Sequence, residues 1–82
     1  MKTEFELYKE VQLIKPLSEY GFVEGDVATL VDIVKDKTGN PGYMLEFFDN
    51  NGNTLQVVAV TKDYIAHPPK QAVVNYRPYK AA

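Results

Sequence analysis

Apolar and polar positions alternate with a period of two along most of the chain, the spacing of half-buried β-strands. In Tyr43 to Phe48 this alternation sets Tyr43, Leu45 and Phe47 on one side and Met44, Glu46 and Phe48 on the other. Thr54 to Val60 follows the same rule, with Leu55, Val57 and Ala59 opposed to Gln56, Val58 and Val60. Val27 to Val34 is rich in β-branched residues and predicts a central strand in which Val27, Val31 and Ile33 alternate with Ala28, Leu30, Asp32 and Val34. Between Phe5 and Lys15 two spacings compete: Phe5, Tyr8 and Val11 fit a helix, whereas Leu7, Val11 and Leu13 fit a strand. The β-rich remainder favours the strand.

Turn chemistry separates these stretches. Asp49-Asn50-Asn51-Gly52-Asn53 predicts a hairpin loop with Asn51-Gly52 as a type I′ pair, because Asn and Gly tolerate positive φ. Lys35 to Gly42 is a loop by composition, and Leu17 to Asp26 is a longer connection carrying Gly21 and Gly25. Thr61 is a candidate N-cap for one 3₁₀ or α turn over Thr61 to Ile65, which Pro68-Pro69 stops. Ala72 to Tyr76 is a candidate fifth strand ended by Pro78. Ile14, Leu30, Val34, Met44, Phe48, Val58 and Val60 put more apolar surface on the second side than a solvated sheet carries. That excess predicts a bent sheet curling into a small barrel.

The fold class expected is therefore mainly all-β: a small five-stranded barrel over residues 1–66, with a short 3₁₀ turn, followed by a C-terminal extension over 67–82. At 82 residues there is one core and no second domain. A hydrophobic fraction of 45% with 24% charged residues excludes general disorder. No apolar run reaches the roughly 18–20 residues of a membrane-spanning helix, and the opening residues lack a secretory apolar stretch. The absence of cysteine removes disulfides and thiolate chemistry, and the expected location is the cytoplasm.

Leu7 to Val11 and Glu19 to Ile33, together with Tyr43 to Asp49, Gly52 and the valine-rich strand after it, resemble the bacterial domain-of-unknown-function family 4926 over residues 5–65. The most specific part is Glu19-Tyr20-Gly21 followed by Gly25-Asp26-Val27. This resemblance implies a bacterial SH3-like β-barrel without an assigned activity, similar also to the KOW modules of ribosomal and transcription proteins. Ala28 departs from the pattern where a glycine is expected, and Ala66 to Ala82 extends past it.

Candidate chemistry is sparse. His67 is the single histidine and sits in a proline-bounded loop. Asp49, Asn51 and Asn53 match the start of a calcium loop, but Thr54 stands at the glycine position and Val60 at the glutamate position. Glu4, Glu6 and Glu10, and more loosely Glu24, Asp26 and Asp32, read as solvated charge. The expectation is a noncatalytic protein-protein binding or accessory module, regulating or neutralising a partner. It has no cofactor, no metal, no membrane association and no small-molecule substrate.

Its partner is another protein or a second copy, met by Tyr20, Phe22, Val73, Val74, Tyr76 and Tyr79. For Tyr20 and Phe22 the competing role is a lid over the core. The alternative function is RNA binding. Residues 35–82 carry six basic and four acidic side chains, and Lys70, Arg77 and Lys80 alternate with Tyr76 and Tyr79. Three cations and a net charge of −2 argue against it.

Overall fold

A computed structural model describes residues 5–69 of the chain. It is mainly β: strands β1 (Glu10–Leu13), β2 (Val27–Lys35), β3 (Pro41–Phe48), β4 (Thr54–Val60) and β5 (Ile65–Ala66) form one antiparallel sheet. The order across the sheet is β4-β3-β2-β1-β5. The four consecutive strands β1 to β4 form a meander, and the chain then crosses to lay β5 against the far side of β1. Two 3₁₀ turns, Ser18–Tyr20 and Lys62–Tyr64, interrupt the connections.

The sheet differs from expectation in its fifth strand, in its closure and in the length of its first strand. Strand five is the two-residue Ile65–Ala66, whose partners are Leu13 and Gln12; Ala72 to Tyr76 lies outside the described residues. The sheet also stops short of a closed barrel, because among the described residues β4 and β5 do not pair. Strand one is shorter than Phe5 to Lys15, since residues 7–9 form a turn before it.

Register explains the core. Leu45 lies across from both Leu30 and Val58, Tyr43 from Val60, Val11 from Ala28 and Leu13 from Ile65. Directly opposed residues share a side of an antiparallel sheet. These ten side chains, counting Phe47 on the same side of β3, are all buried, and among the described residues no polar side chain is buried with them. Leu30, Val58 and Val60 therefore belong with Tyr43, Leu45 and Phe47, contrary to the assignment made from alternation alone. Val57 and Ala59 instead lie across from Glu46 and Met44 on the outer side.

That outer side also carries Glu10, Gln12 and Thr29 in register. It is mixed rather than apolar, so closure is not required to keep it in water. A bulge between Leu30 and Asp32 shifts the register within β2, which is how Ile33 comes to face Tyr43.

Both hairpin loops have the same construction. Asp36 N–H donates to Asn40 O (2.9 Å) and Gly39 N–H to Asp36 O (3.0 Å); Asp49 N–H donates to Asn53 O (2.9 Å) and Gly52 N–H to Asp49 O (3.0 Å). Gly39 and Gly52 have φ of 87° and 83°, and no Asn in either loop has positive φ. The expected type I′ pair at Asn51-Gly52 is thus replaced by a three-residue loop that only its final glycine enters in the left-handed region. Pro41 opens β3 as its first residue, where its missing N–H costs no interior ladder bond.

The long connection covers the open side of the core. Leu17 and Phe22 exchange backbone hydrogen bonds (3.0 and 3.2 Å) around the turn at Ser18–Tyr20, with Gly21 left-handed at φ 81°. This folds the Phe22 ring onto Phe47, stacked with centroids 3.9 Å apart and planes at 11°.

Candidate protein-binding surface

The segment entering β1 makes the sheet's most unusual corner. Tyr8 N–H donates to Leu30 O (2.6 Å), and Leu30 N–H donates to Lys9 O (3.0 Å). This pair of bonds clamps residues 8 and 9 to the central strand at its fully buried leucine. The clamp holds Tyr8 at φ 65°, making it the one non-glycine residue at positive φ among those described. An L-residue in that region costs about 1–2 kcal/mol because Cβ crowds the following carbonyl. The ring gains little packing in exchange: Tyr8 is 73% exposed, more than any other exposed large apolar residue, with Leu7 beside it also exposed.

Beside this corner lies an open cleft of about 270 Å³ lined by Phe5, Glu6, Lys9, Glu10, Val11 and His67. Its apolar wall is anchored through Phe5, whose ring meets Tyr43 edge-on at 5.8 Å and lies tilted against His67 at 4.5 Å. Glu6, Glu10 and Lys9 supply charge at the rim. Apolar floor, charged rim and a neighbouring exposed phenol suit an extended peptide better than a compact, fully enclosed ligand.

The residues singled out in the sequence take other places. Phe22 is 3% exposed and fills the core; Tyr20 is half-buried and packs against the same cluster. Of the two roles open to Phe22, covering the core is the one its stacking on Phe47 fulfils. Val73, Val74, Tyr76 and Tyr79 lie outside the described residues, as do Lys70, Arg77, Lys80 and Glu4.

Asp49 turns its carboxylate into its own loop, accepting from Asn51 N–H and Asn53 N–H at 2.9 Å each, as Asp36 does from Thr38 and Asn40. These bonds lower both carboxyl pKa values, led for Asp49 by the Asn53 N–H and for Asp36 by the Thr38 hydroxyl. Turn geometry thus accounts for the calcium-like spacing. Among the described residues no cluster of three His, Asp or Glu side chains is placed to hold a metal ion.

One ion pair ties the end of β1 to the second 3₁₀ turn. Lys15 Nζ lies 2.6 Å from Asp63 Oδ2 and 5.2 Å from the centre of the Tyr64 ring. The Lys15 ammonium, with help from the Thr61 hydroxyl, pulls the Asp63 carboxyl down to about 2. Asp63 in turn raises the Lys15 pKa. Thr61 occupies the expected N-cap position but bonds the Asp63 side chain rather than capping the backbone.

The molecule is thus a small, mainly β module of one antiparallel sheet with a surface corner suited to contact. It belongs to the family described as Domain of unknown function (DUF4926), whose model matches residues 7–67. No curated protein and no solved structure matches the chain. Among the described residues no helix is long and apolar enough to cross a membrane.

Proposed function

We propose that this chain is a noncatalytic protein-binding module of the bacterial cytoplasm, regulating or neutralising a partner that docks at the Tyr8 corner. Tyr8 carries the proposal: a large ring held in an unfavourable backbone conformation, and mostly in solvent, contributes little to the fold's own stability and is free to meet a partner. The adjoining cleft supplies apolar contact through Phe5 and Val11 and selects charge through Glu6, Glu10 and Lys9. Tyrosine suits such an anchor, offering area and a hydroxyl for only two side-chain torsions. The strand order, with a meander, a 3₁₀ turn and a short strand returning to β1, supports relating the module to SH3-like barrels.

The test is affinity capture from a native extract with the tagged full chain and its Tyr8→Ala and Tyr8→Gly variants, all checked for folding. Proteins recovered by the parent chain and lost with both variants support the proposal. An identical set recovered by all three overturns it.

A further inference from the structure

A second surface, at the opposite edge of the sheet from the entry corner, stands on separate observations. Strand β4 is outermost, and among the described residues its ladder partner is β3 alone. Its sequence, Thr54-Leu55-Gln56-Val57-Val58-Ala59-Val60, contains no charge, no proline and no glycine. Sheet edges are ordinarily guarded by inward or flanking charges, by proline, by a bulge or by being very short, because unpaired N–H and C=O groups recruit other strands. The edge at β5 is protected by brevity, at two residues. At seven residues β4 is not guarded by brevity, and among the described residues its one bulge, at Leu55 between the Phe47–Gln56 and Phe48–Thr54 pairs, lies at the hairpin end and leaves Gln56 to Val60 in unbroken register.

We propose that β4 is a self-association edge through which two copies of this chain pair, antiparallel and symmetric about Val57. That register sets Val57 against its own counterpart and Gln56 of one copy against Val58 of the other. Over Gln56 to Val58 opposed residues lie on matching sides, so the core side of one sheet continues into the core side of the other, and the bulged Leu55, which packs toward its own core, ends the pairing.

The ends of β4 favour a second copy over an unrelated strand. Asp49 lies in the loop leading into β4 and is held ionised by loop N–H groups, while Lys62 is exposed just beyond the other end. Antiparallel self-pairing brings Lys62 of each copy toward the Asp49 loop of the other, giving attraction at both ends of an uncharged ribbon. Asp63, the acid next to Lys62, is already paired with Lys15. With β5 only two residues long, association stops at two copies. The corner at Tyr8, on the β1–β2 side, is left open.

The experiment is sedimentation equilibrium of the full chain across a concentration series, alongside Val57→Lys, Val57→Glu and an equimolar mixture of the two. Val57 is 43% exposed on the outer side across from Glu46, which matches lysine and opposes glutamate, so circular dichroism checks that each single copy keeps its fold. The parent chain is expected to double in mass as concentration rises, and each variant alone to weaken the association at least tenfold. The mixture is expected to restore it, because lysine then faces glutamate on the symmetry axis. A parent chain that stays at one copy throughout, a Val57→Lys chain that pairs as the parent does, or growth beyond two copies would each overturn the proposal.

Discussion

Replacing Tyr8 by glycine and, separately, by alanine isolates the backbone strain on which the proposed binding corner rests. In regular structure glycine is the worse choice, by about 0.5–1 kcal/mol, because it loses more freedom on folding. At φ 65° the order reverses. Alanine retains the left-handed cost of about 1–2 kcal/mol, and glycine sheds it. Subtracting the entropy term leaves Tyr8→Gly more stable than Tyr8→Ala by about 1 kcal/mol. Against the parent, both lose the covered quarter of a ring, worth about 1 kcal/mol at ~25 cal/mol per Å². Tyr8→Gly should therefore fall within about 1 kcal/mol of the parent, with Tyr8→Ala below it. Urea unfolding followed by circular dichroism measures the three stabilities on one scale. A Tyr8→Ala chain more stable than Tyr8→Gly would refute the left-handed conformation, and with it the argument that the position trades stability for contact.

Phe47→Ala is expected to cost about 3–5 kcal/mol, since the ring is buried and stacked on Phe22, and in a domain this small that loss unfolds most of the population; a urea midpoint close to the parent's would contradict the packing. The Lys15–Asp63 pair predicts an acid-dependent difference between the parent and Asp63→Asn. Asp63 is depressed from 3.8 to about 2 in the folded chain, so its contribution is complete above 3.8 and lost as pH falls through 2. Thermal unfolding from pH 7 down to pH 1.5 should show the two melting temperatures converging in that window, and a gap independent of pH would rule the pair out as its cause.

How much of this was legible in the sequence depends on how local each determinant is. The β3–β4 hairpin and the 3₁₀ turn after Thr61 follow from alternation and turn residues within a few positions, and both are present. Sides of neighbouring strands depend on register, which alternation within one strand does not contain. Counting outward from Asn51-Gly52 already places Leu45 across from Val58, so that part of the core was available to a reading that carried register across the loop. The side shared by Leu30 was not, because the Leu30–Asp32 bulge has no signature in Leu30-Val31-Asp32.

The shared loop design was legible as an Asp-X-X-Gly-Asn repeat at Asp36 to Asn40 and Asp49 to Asn53, and it explains why Gly39 and Gly52 are the left-handed positions. Tyr8 carried no signal. Nothing in Leu7-Tyr8-Lys9 marks positive φ, which arises from hydrogen bonds to Leu30, more than twenty positions away. Phe22 was one of two aromatics in a long connection; only the Leu17–Phe22 closure decides that it turns inward.

Adjacent residues on opposite sides of β4 give the most direct test of the sheet having one buried side and one available side. The chain has no cysteine, so Val57→Cys and Val58→Cys each introduce a single thiol. Val57 is 43% exposed and Val58 7%. In the folded chain, held dilute enough to stay a single copy, a soluble thiol reagent should modify Cys at position 57 far faster than at position 58, which reacts only as fast as the domain opens. Equal protection of the two positions, or faster labelling at 58, would contradict the account.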